Sequence, residues 1–326
     1  MGFGPCRLVL LVLAAALAGP CQIAAAYPDR PVRVIVPFPP GGGTDVVGRV
    51  LSEKLSEILG KQFVVENRPG AGAMLGADLV AKAGPDGHTI LVGTSAELTI
   101  SPALFSAVPY RPALDFAPIA LVGVSPVILL AHPSFPGNDL RDVIALHKAS
   151  PARYSVASGG SGAAPHLAAE LFRSLAAKDI TIVPYKGAAD SLRDLIGGQV
   201  DLGFSTIASA LPHVVNKSIK ALSVTSPRRS TLLPEVPTSA EQGLAELEAV
   251  TWFGLFVPAA VPADVATVLR TATAQALADH ALQQRMQQLA VEIGSVEDGG
   301  EVLTRRIAAE LERWKRVVAA AGIPVQ

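Results

Sequence analysis

Short apolar runs alternate with amphipathic stretches along most of the chain. Val32–Val36 (VRVIV) is β-branched and closed by Pro37, which predicts a strand. After Pro37–Gly43 (PFPPGGG), Thr44 and Asp45 suit a helix start, and Val46, Val47, Val50, Leu51, Leu55, Ile58 and Leu59 follow at three- and four-residue spacing until Gly60. Gln62–Glu66 predicts a second strand, Ala73–Ala83 a helix and His88–Val92 a third strand opening into Gly93–Ser95. Strands alternating with helices of this length predict parallel pairing in an α/β lobe. Ligands of such sheets sit beyond the carboxyl ends of the strands.

The pattern then recurs. Arg153–Ala157 predicts a strand, Ser158–Ala164 (SGGSGAA) a loop and Pro165–Leu175 a helix; Thr181–Pro184 leads through Tyr185–Gly187 into a helix over Ala188–Ile196; Asp201–Phe204 is a strand followed by Ser205–Ser209 and a helix. Phe116–Val124 and Thr251–Val257 are extended, apolar and placed where one pattern gives way to the other. Read as crossovers, they divide the chain into lobe one (27–124 plus 252–326) and lobe two (125–251). Two tail helices, Ala263–Leu289 and Asp298–Ala320, are expected to pack on lobe one.

Composition changes the picture chiefly at the N-terminus. Arg7 precedes Leu8–Ala18, an uncharged run about 16 Å long as a helix at ~1.5 Å per residue, too short for a ~30 Å hydrocarbon core. Gly19, Pro20 and Ala24–Ala26 follow. A positive start, short apolar middle and small-residue ending predict a secretory signal, residues 1–26, cleaved after Ala26 and delivering the protein to the periplasm. A buried core helix and a lipid-modified Cys21 are the competing readings. Both cysteines, Cys6 and Cys21, fall in this segment, so the exported remainder is held by its core rather than by disulfides. With 27 basic and 28 acidic residues in 326, the balance argues against a nucleic-acid partner.

Candidate chemistry lies in the loops. Three glycines in Pro37–Asp45 let a backbone approach a ligand without β-carbons, and the helix start at Thr44 aims free amides at it, an anion-attracting arrangement worth roughly 0.3–1 kcal/mol when exposed and up to about 2 when half-buried. An ordinary strand-to-helix bend explains the glycines equally simply. Asp45 reads as a cap or dipole partner before a direct contact, because its charge repels a carboxylate. Ser158–Ala164 repeats the logic in the other lobe, with His166 in the first helical turn either bonding the helix start or touching ligand. Lys186 is either a cleft cation or a solvated surface lysine.

Enzymatic readings fare worse. Gly159-Gly160-Ser161-Gly162 lacks the second flanking glycine spacing of a nucleophile elbow; Gly70-Ala71-Gly72 stands one residue too far from Gly76 for a dinucleotide fingerprint; and six histidines show no paired spacing and no cysteine partners. Neither cofactor nor metal is expected, and the hydrolase alternative rests on Ser158 or Ser161 alone.

Eleven collinear stretches carry a resemblance, among them Val36–Asp45 (VPFPPGGGTD), Val65–Gly72 (VENRPGAG), Pro85–Gly93 (PDGHTILVG), Asp115–Ile119 (DFAPI), Val183–Gly187 (VPYKG), Val224–Arg229 (VTSPRR) and Trp252–Pro258 (WFGLFVP). In these the chain resembles the tripartite tricarboxylate transporter receptors, also called Bug proteins, extracytoplasmic solute-binding proteins that deliver carboxylates to a membrane permease. The resemblance implies an α/β, two-lobed periplasmic-binding-protein fold (a Venus flytrap, type II-like) with the ligand cleft between lobes. It further implies a monomeric, non-enzymatic receptor whose partners are a small carboxylate and the permease subunits. By position it implies ligand contacts from Phe38, Gly41, Gly42, Thr44, Asp45, Thr94, Ser95 and Ala96 in lobe one. In lobe two it implies Ser158, Ser161, Gly162, Ala163, His166, Lys186 and Ser205. Two positions depart from the family pattern: Ser205 replaces a frequent Asp, and Glu97 stands where a small or neutral residue is usual. A periplasmic sensor feeding a two-component system is the alternative function.

Overall fold

The computed structural model describes residues 27–160, 162–293, 299–320, 322, 323 and 325. The stretch expected to be a secretory signal, residues 1–26 with both cysteines, and Ser161 lie outside the described residues.

The elements in chain order are β1 (Val32–Val36), α1 (Gly43–Leu59), β2 (Phe63–Asn67), α2 (Met74–Ala81), β3 (Thr89–Thr94), a π-helical turn (Ala96–Ile100) running into α3 (Ser101–Leu104), and β4 (Phe116–Ala131). Next come α4 (Leu140–Ala149), β5 (Ser155–Gly159), α5 (Ala164–Ala176), β6 (Thr181–Tyr185), α6 (Ala188–Ile196), β7 (Leu202–Thr206), α7 (Ile207–Val215) and β8 (Lys220–Val224). Last are β9 (Val250–Pro258), α8 (Ala263–Ala278), α9 (His280–Gln288), β10 (Glu292–Ile293) and α10 (Gly299–Ala320).

The strands join in the order β2-β1-β3-β9-β4-β7-β5-β6, with β8 and β10 also on β4. At one end β2-β1-β3 is a parallel triplet with β1 in the middle; at the other β6-β5-β7 is a second, with β5 in the middle. The expected parallel pairing is therefore present at both ends, joined by antiparallel strands. β4 pairs with β9 from Phe116 to Pro126 and with β7 from Val127 to Ala131, so one strand serves both halves and defines a two-lobed α/β architecture.

Helices cover both faces of each half. Val47, Val50, Leu51 and Leu55 of α1 pack with Leu269 and Ala272 of α8 and Met286 of α9 against Val34, Val92 and Leu255, while Met74 and Val80 of α2 cover the opposite face. In the other half Leu167 and Phe172 of α5 and Leu140 of α4 cover one face, and Leu192 of α6 and Ile207 of α7 the other. These nonpolar faces, each residue worth roughly 1.5–3 kcal/mol when buried, are what the three- and four-residue spacings encode.

Two tail expectations are corrected. The amphipathic run 263–289 is two helices, because Asp279 is extended and its carboxylate caps α9 by accepting the Leu282 amide at 2.9 Å. α10, expected on lobe one, straddles the halves: Leu303 and Ile307 join the core containing Trp252 and Phe256, whereas Trp314 and Val318 join the one containing Leu129, Phe172 and Phe204. Glu310, between them, accepts from Trp252 Nε1 (2.8 Å), Thr99 Oγ1 (3.0 Å) and Arg306 Nε (2.9 Å).

Candidate anion-binding cleft

The two glycine-rich loops follow the central strands of the two parallel triplets, β1 and β5. In the first, Gly41 has φ +81°, a conformation suited to glycine, and Gly42 is the extended residue before α1. A network pins this loop. The Asp45 carboxylate accepts from the Gly41 amide (2.9 Å), Arg49 Nε (3.0 Å) and Asn67 Nδ2 (2.9 Å), while Asn67 Nδ2 also donates to the Phe38 carbonyl (3.0 Å). Burial pushes the Asp45 carboxyl up, but the bonds from Arg49, Gly41 and Asn67, together with the Arg49 charge, outweigh it and hold the group below its ordinary value. Asp45 is thus ionised and engaged within the loop, with no side-chain cap bond at the start of α1. The first intrahelical bond is Val46 N–H to the Gly42 carbonyl, 3.1 Å, which leaves the preceding amides of Gly43, Thr44 and Asp45 outside the helical ladder.

In the second loop the Gly162 amide donates to His166 Nδ1 (3.3 Å) and the Ala163 amide to the Gly160 carbonyl (3.0 Å). His166 Nδ1 is therefore an acceptor, which requires its proton on Nε2. Burial, then the Arg173 charge, lowers its pKa below the ordinary value, so the ring is neutral at pH 7. Nε2 lies 3.7 Å from Glu170, which pairs with Arg173. The first bond of α5, Leu167 N–H to the Ala163 carbonyl, leaves the amides of Ala164 and His166 beyond the ladder, Pro165 having none.

Each loop faces the other half of the molecule. A β-carbon on Gly43 would lie 3.6 Å from Ala208 Cβ and 3.8 Å from Thr206 Oγ1, at the start of α7; one on Gly162 would lie 3.0 Å from Ser101 Oγ and 3.5 Å from Gly72 Cα. Glycine-rich backbone of each lobe thus meets residues of the other where the lobes come together. Ser158 and Ser205, at the ends of the adjacent strands β5 and β7, are fully buried, and neither hydroxyl has a partner among the described residues.

The third candidate loop follows β3. The Thr94 amide and hydroxyl both donate to the Glu97 carboxylate, the hydroxyl at 2.7 Å, and the Ala96 amide donates to Thr94 Oγ1 at 3.1 Å. Ser95 is buried, its hydroxyl 3.5 Å from the Val250 carbonyl. Burial pushes the Glu97 carboxyl up to about 7 against the bonds from Thr94.

Among the residues the sequence singles out, Phe38 is half-buried at the first loop, and Thr44, Thr94, Ser95, Ala96, Ser158, His166 and Ser205 are buried at strand ends or helix starts. Lys186 is exposed, with no ion pair among the described residues. Gly41, Asp45, Ala96, Gly162 and Ala163 differ from a simple amide clamp, since their polar groups are engaged in shaping their own loops. Asn67, Arg49, Gly43, Gly72, Ser101 and Thr206 are additions. Gly43 belongs to the three-glycine run and Thr206 is a hydroxyl residue between strand and helix, so both carried a signal; the Thr206 side chain caps α7 by accepting the Ser209 amide.

Fold and crevice together define a two-lobed periplasmic-binding-protein architecture. Residues 47–323 match the model of the Tripartite tricarboxylate transporter family receptor, TctC, and the chain belongs to that family. The structure of periplasmic binding protein BugD is 35% identical, with a TM-score of 0.85 over 92% of this chain and 100% of that one. Rpa4515 of R. palustris, solved with adipate, is 32% identical, with a TM-score of 0.86 over 91% and 99%. MatC from Rhodopseudomonas palustris, with bound malate, is 35% identical, with a TM-score of 0.83 over 90% and 100%. No described helix is long and apolar enough to cross a membrane.

Proposed function

We propose that this receptor captures a small dicarboxylate or tricarboxylate in the periplasm and presents it to the permease subunits of a tripartite tricarboxylate transporter, without chemical conversion. What supports the reading is that two helix starts, α1 and α5, each follow a glycine-rich loop that lies against the opposite lobe. The carboxylates named for MatC and Rpa4515 agree with that chemistry. Lobe one comprises 27–124 and 252–326, lobe two 125–251, with α10 reaching from the first core to the second.

One ligand carboxylate meets the amides of Gly42, Gly43 and Thr44 and the Thr44 hydroxyl. The other end meets the amides of Ala164 and His166 and the hydroxyls of Ser158 and Ser205, whose missing partners the ligand or its water supplies. Hydrogen bonds to a charged group contribute roughly 1.5–3 kcal/mol each, so several suffice for the ~8.2 kcal/mol of a micromolar complex after ordering costs. Only the closed arrangement brings both sets onto one ligand, so binding favours closure. A thermal-shift screen of malate, adipate, citrate and related acids tests this. A ligand at 100 times its dissociation constant adds about 2.7 kcal/mol to stability. A screen in which no organic anion shifts the transition sinks the proposal.

A further inference from the structure

Glu97 is a carboxylate in an unusual place. It lies in the π-helical turn that follows β3, is fully buried, and forms no ion pair among the described residues. Its two oxygens are turned back onto the Thr94 amide and hydroxyl, and Thr94 Oγ1 in turn accepts the Ala96 amide, so the acid is wired directly into the candidate loop after β3, whose π-helical turn packs against α5 of the other lobe.

Among the described residues, the groups facing it offer no positive charge. On β3, Gly93 is so close that a β-carbon there would lie 3.1 Å from Glu97 Oε1 and 3.0 Å from the Phe256 ring of β9. Tyr110 donates to the Glu97 main-chain carbonyl at 2.7 Å, and Asp78 of α2 acts on that same tyrosine. From α10, Glu310 reaches the turn through Thr99, and its cation, Arg306, is held at 2.9 Å by Glu310 itself. α5, which packs against the turn, carries His166, whose accepting Nδ1 marks it as neutral.

We propose that ligand capture is proton-linked through Glu97: the protein takes up one proton at this carboxylate when an organic anion settles on the adjoining lobe-one loops. This rests on the anion-receptor reading above. Two like charges in one poorly solvated region cannot both persist at low cost. The incoming anion keeps its charge because helix-start amides meet it, whereas Glu97, without a cation, neutralises. The proton comes from solvent, forms one O–H bond, and returns to solvent on release.

The sign follows from linkage. Below about pH 7 Glu97 is already protonated in the free protein, so binding takes up little and affinity is flat. Above that, free Glu97 is ionised while the bound form retains its proton, so affinity falls by up to tenfold per pH unit until the bound-state value is reached. Between pH 6.5 and 8.5 the ligand carboxyls stay ionised and burial holds His166 below its ordinary value, and the Glu97 variants separate the Glu97 proton from any other.

Titration calorimetry of the full chain with malate and adipate, in phosphate and Tris from pH 6.5 to 8.5, tests the proposal. The buffer dependence of the enthalpy is expected to show proton uptake rising towards one, with about a tenfold or greater loss of affinity between pH 7 and 8.5. Glu97→Gln preserves the acceptor for the Thr94 amide and is expected to bind with no uptake and no pH dependence; Glu97→Ala, which leaves space, should behave alike. Binding by the unaltered protein without proton uptake, or equal uptake in both variants, overturns the inference and leaves the receptor reading standing. Absence of binding by both acids at every pH overturns the receptor reading for these probes and this inference with it.

Discussion

Single residues decide how the first loop meets a ligand, and Gly41 and Gly42 illustrate two different constraints. Gly41 has open space around it but a φ of +81°, so any side chain there strains the backbone. Gly42 has an ordinary extended φ of −77°, and its nearest neighbour along a β-carbon is the Pro39 carbonyl oxygen at 3.6 Å. Gly42→Val is therefore expected to reduce carboxylate affinity at least 100-fold by calorimetry while the urea midpoint hardly moves. Gly41→Val is expected to lower both affinity and midpoint, the latter by about 1–3 kcal/mol of stability. Equal midpoints for the two variants would contradict this account of the loop. At this scale the sequence was informative about composition and blind to partners. The Asp45 carboxylate could be read as a cap, but its bond to Asn67 depends on parallel register bringing Val36 opposite Asn67, across 22 positions of chain. For His166 the sequence leaves two roles open, and the bond its Nδ1 accepts from the Gly162 amide is not encoded in spacing.

Helices and strands set where those residues stand. α2 holds the first loop from beneath at Gly76, where a β-carbon would come within 2.8 Å of Pro37 Cβ and 2.9 Å of both Pro37 Cα and the Arg68 carbonyl oxygen. Two of these are backbone atoms and cannot swing aside. Gly76→Ala is expected to cost about 1–3 kcal/mol by overpacking and to weaken ligand binding by displacing Pro37 at the start of the loop. Chemical denaturation and calorimetry on the same variant check both halves of that expectation. The regular elements were legible wherever periodicity and punctuation agreed, as in α1, which ends at Gly60 with φ +66°. They were less so where one signal masked another. The helical period runs unbroken through 263–289 although Asp279 interrupts it, and Pro126 hides the continuation of β4. That proline is tolerated because it lies where β4 exchanges β9 for β7 and needs no ladder donor from it.

Across the whole molecule, the halves share one long strand, β4, and one long helix, α10, rather than a simple pair of linkers. The two-lobed class could be inferred from the repeated strand–loop–helix pattern, and the family from collinear stretches. The double attachment of α10 could not, because amphipathic spacing states that a face is buried and not which neighbour buries it. α10 also places the chain's only two tryptophans in a useful position. Trp314 rides on the half of α10 that meets the second core, and Trp252 is tied to the same helix through Glu310. Any relative movement of the halves must alter the surroundings of at least one indole. The protein thus carries its own optical gauge: steady-state emission excited at the indole band should change in intensity or wavelength on carboxylate addition, and Trp314→Phe should remove the larger share. A spectrum indifferent to a ligand that calorimetry shows to be bound would mean that the halves are already at rest in their final arrangement.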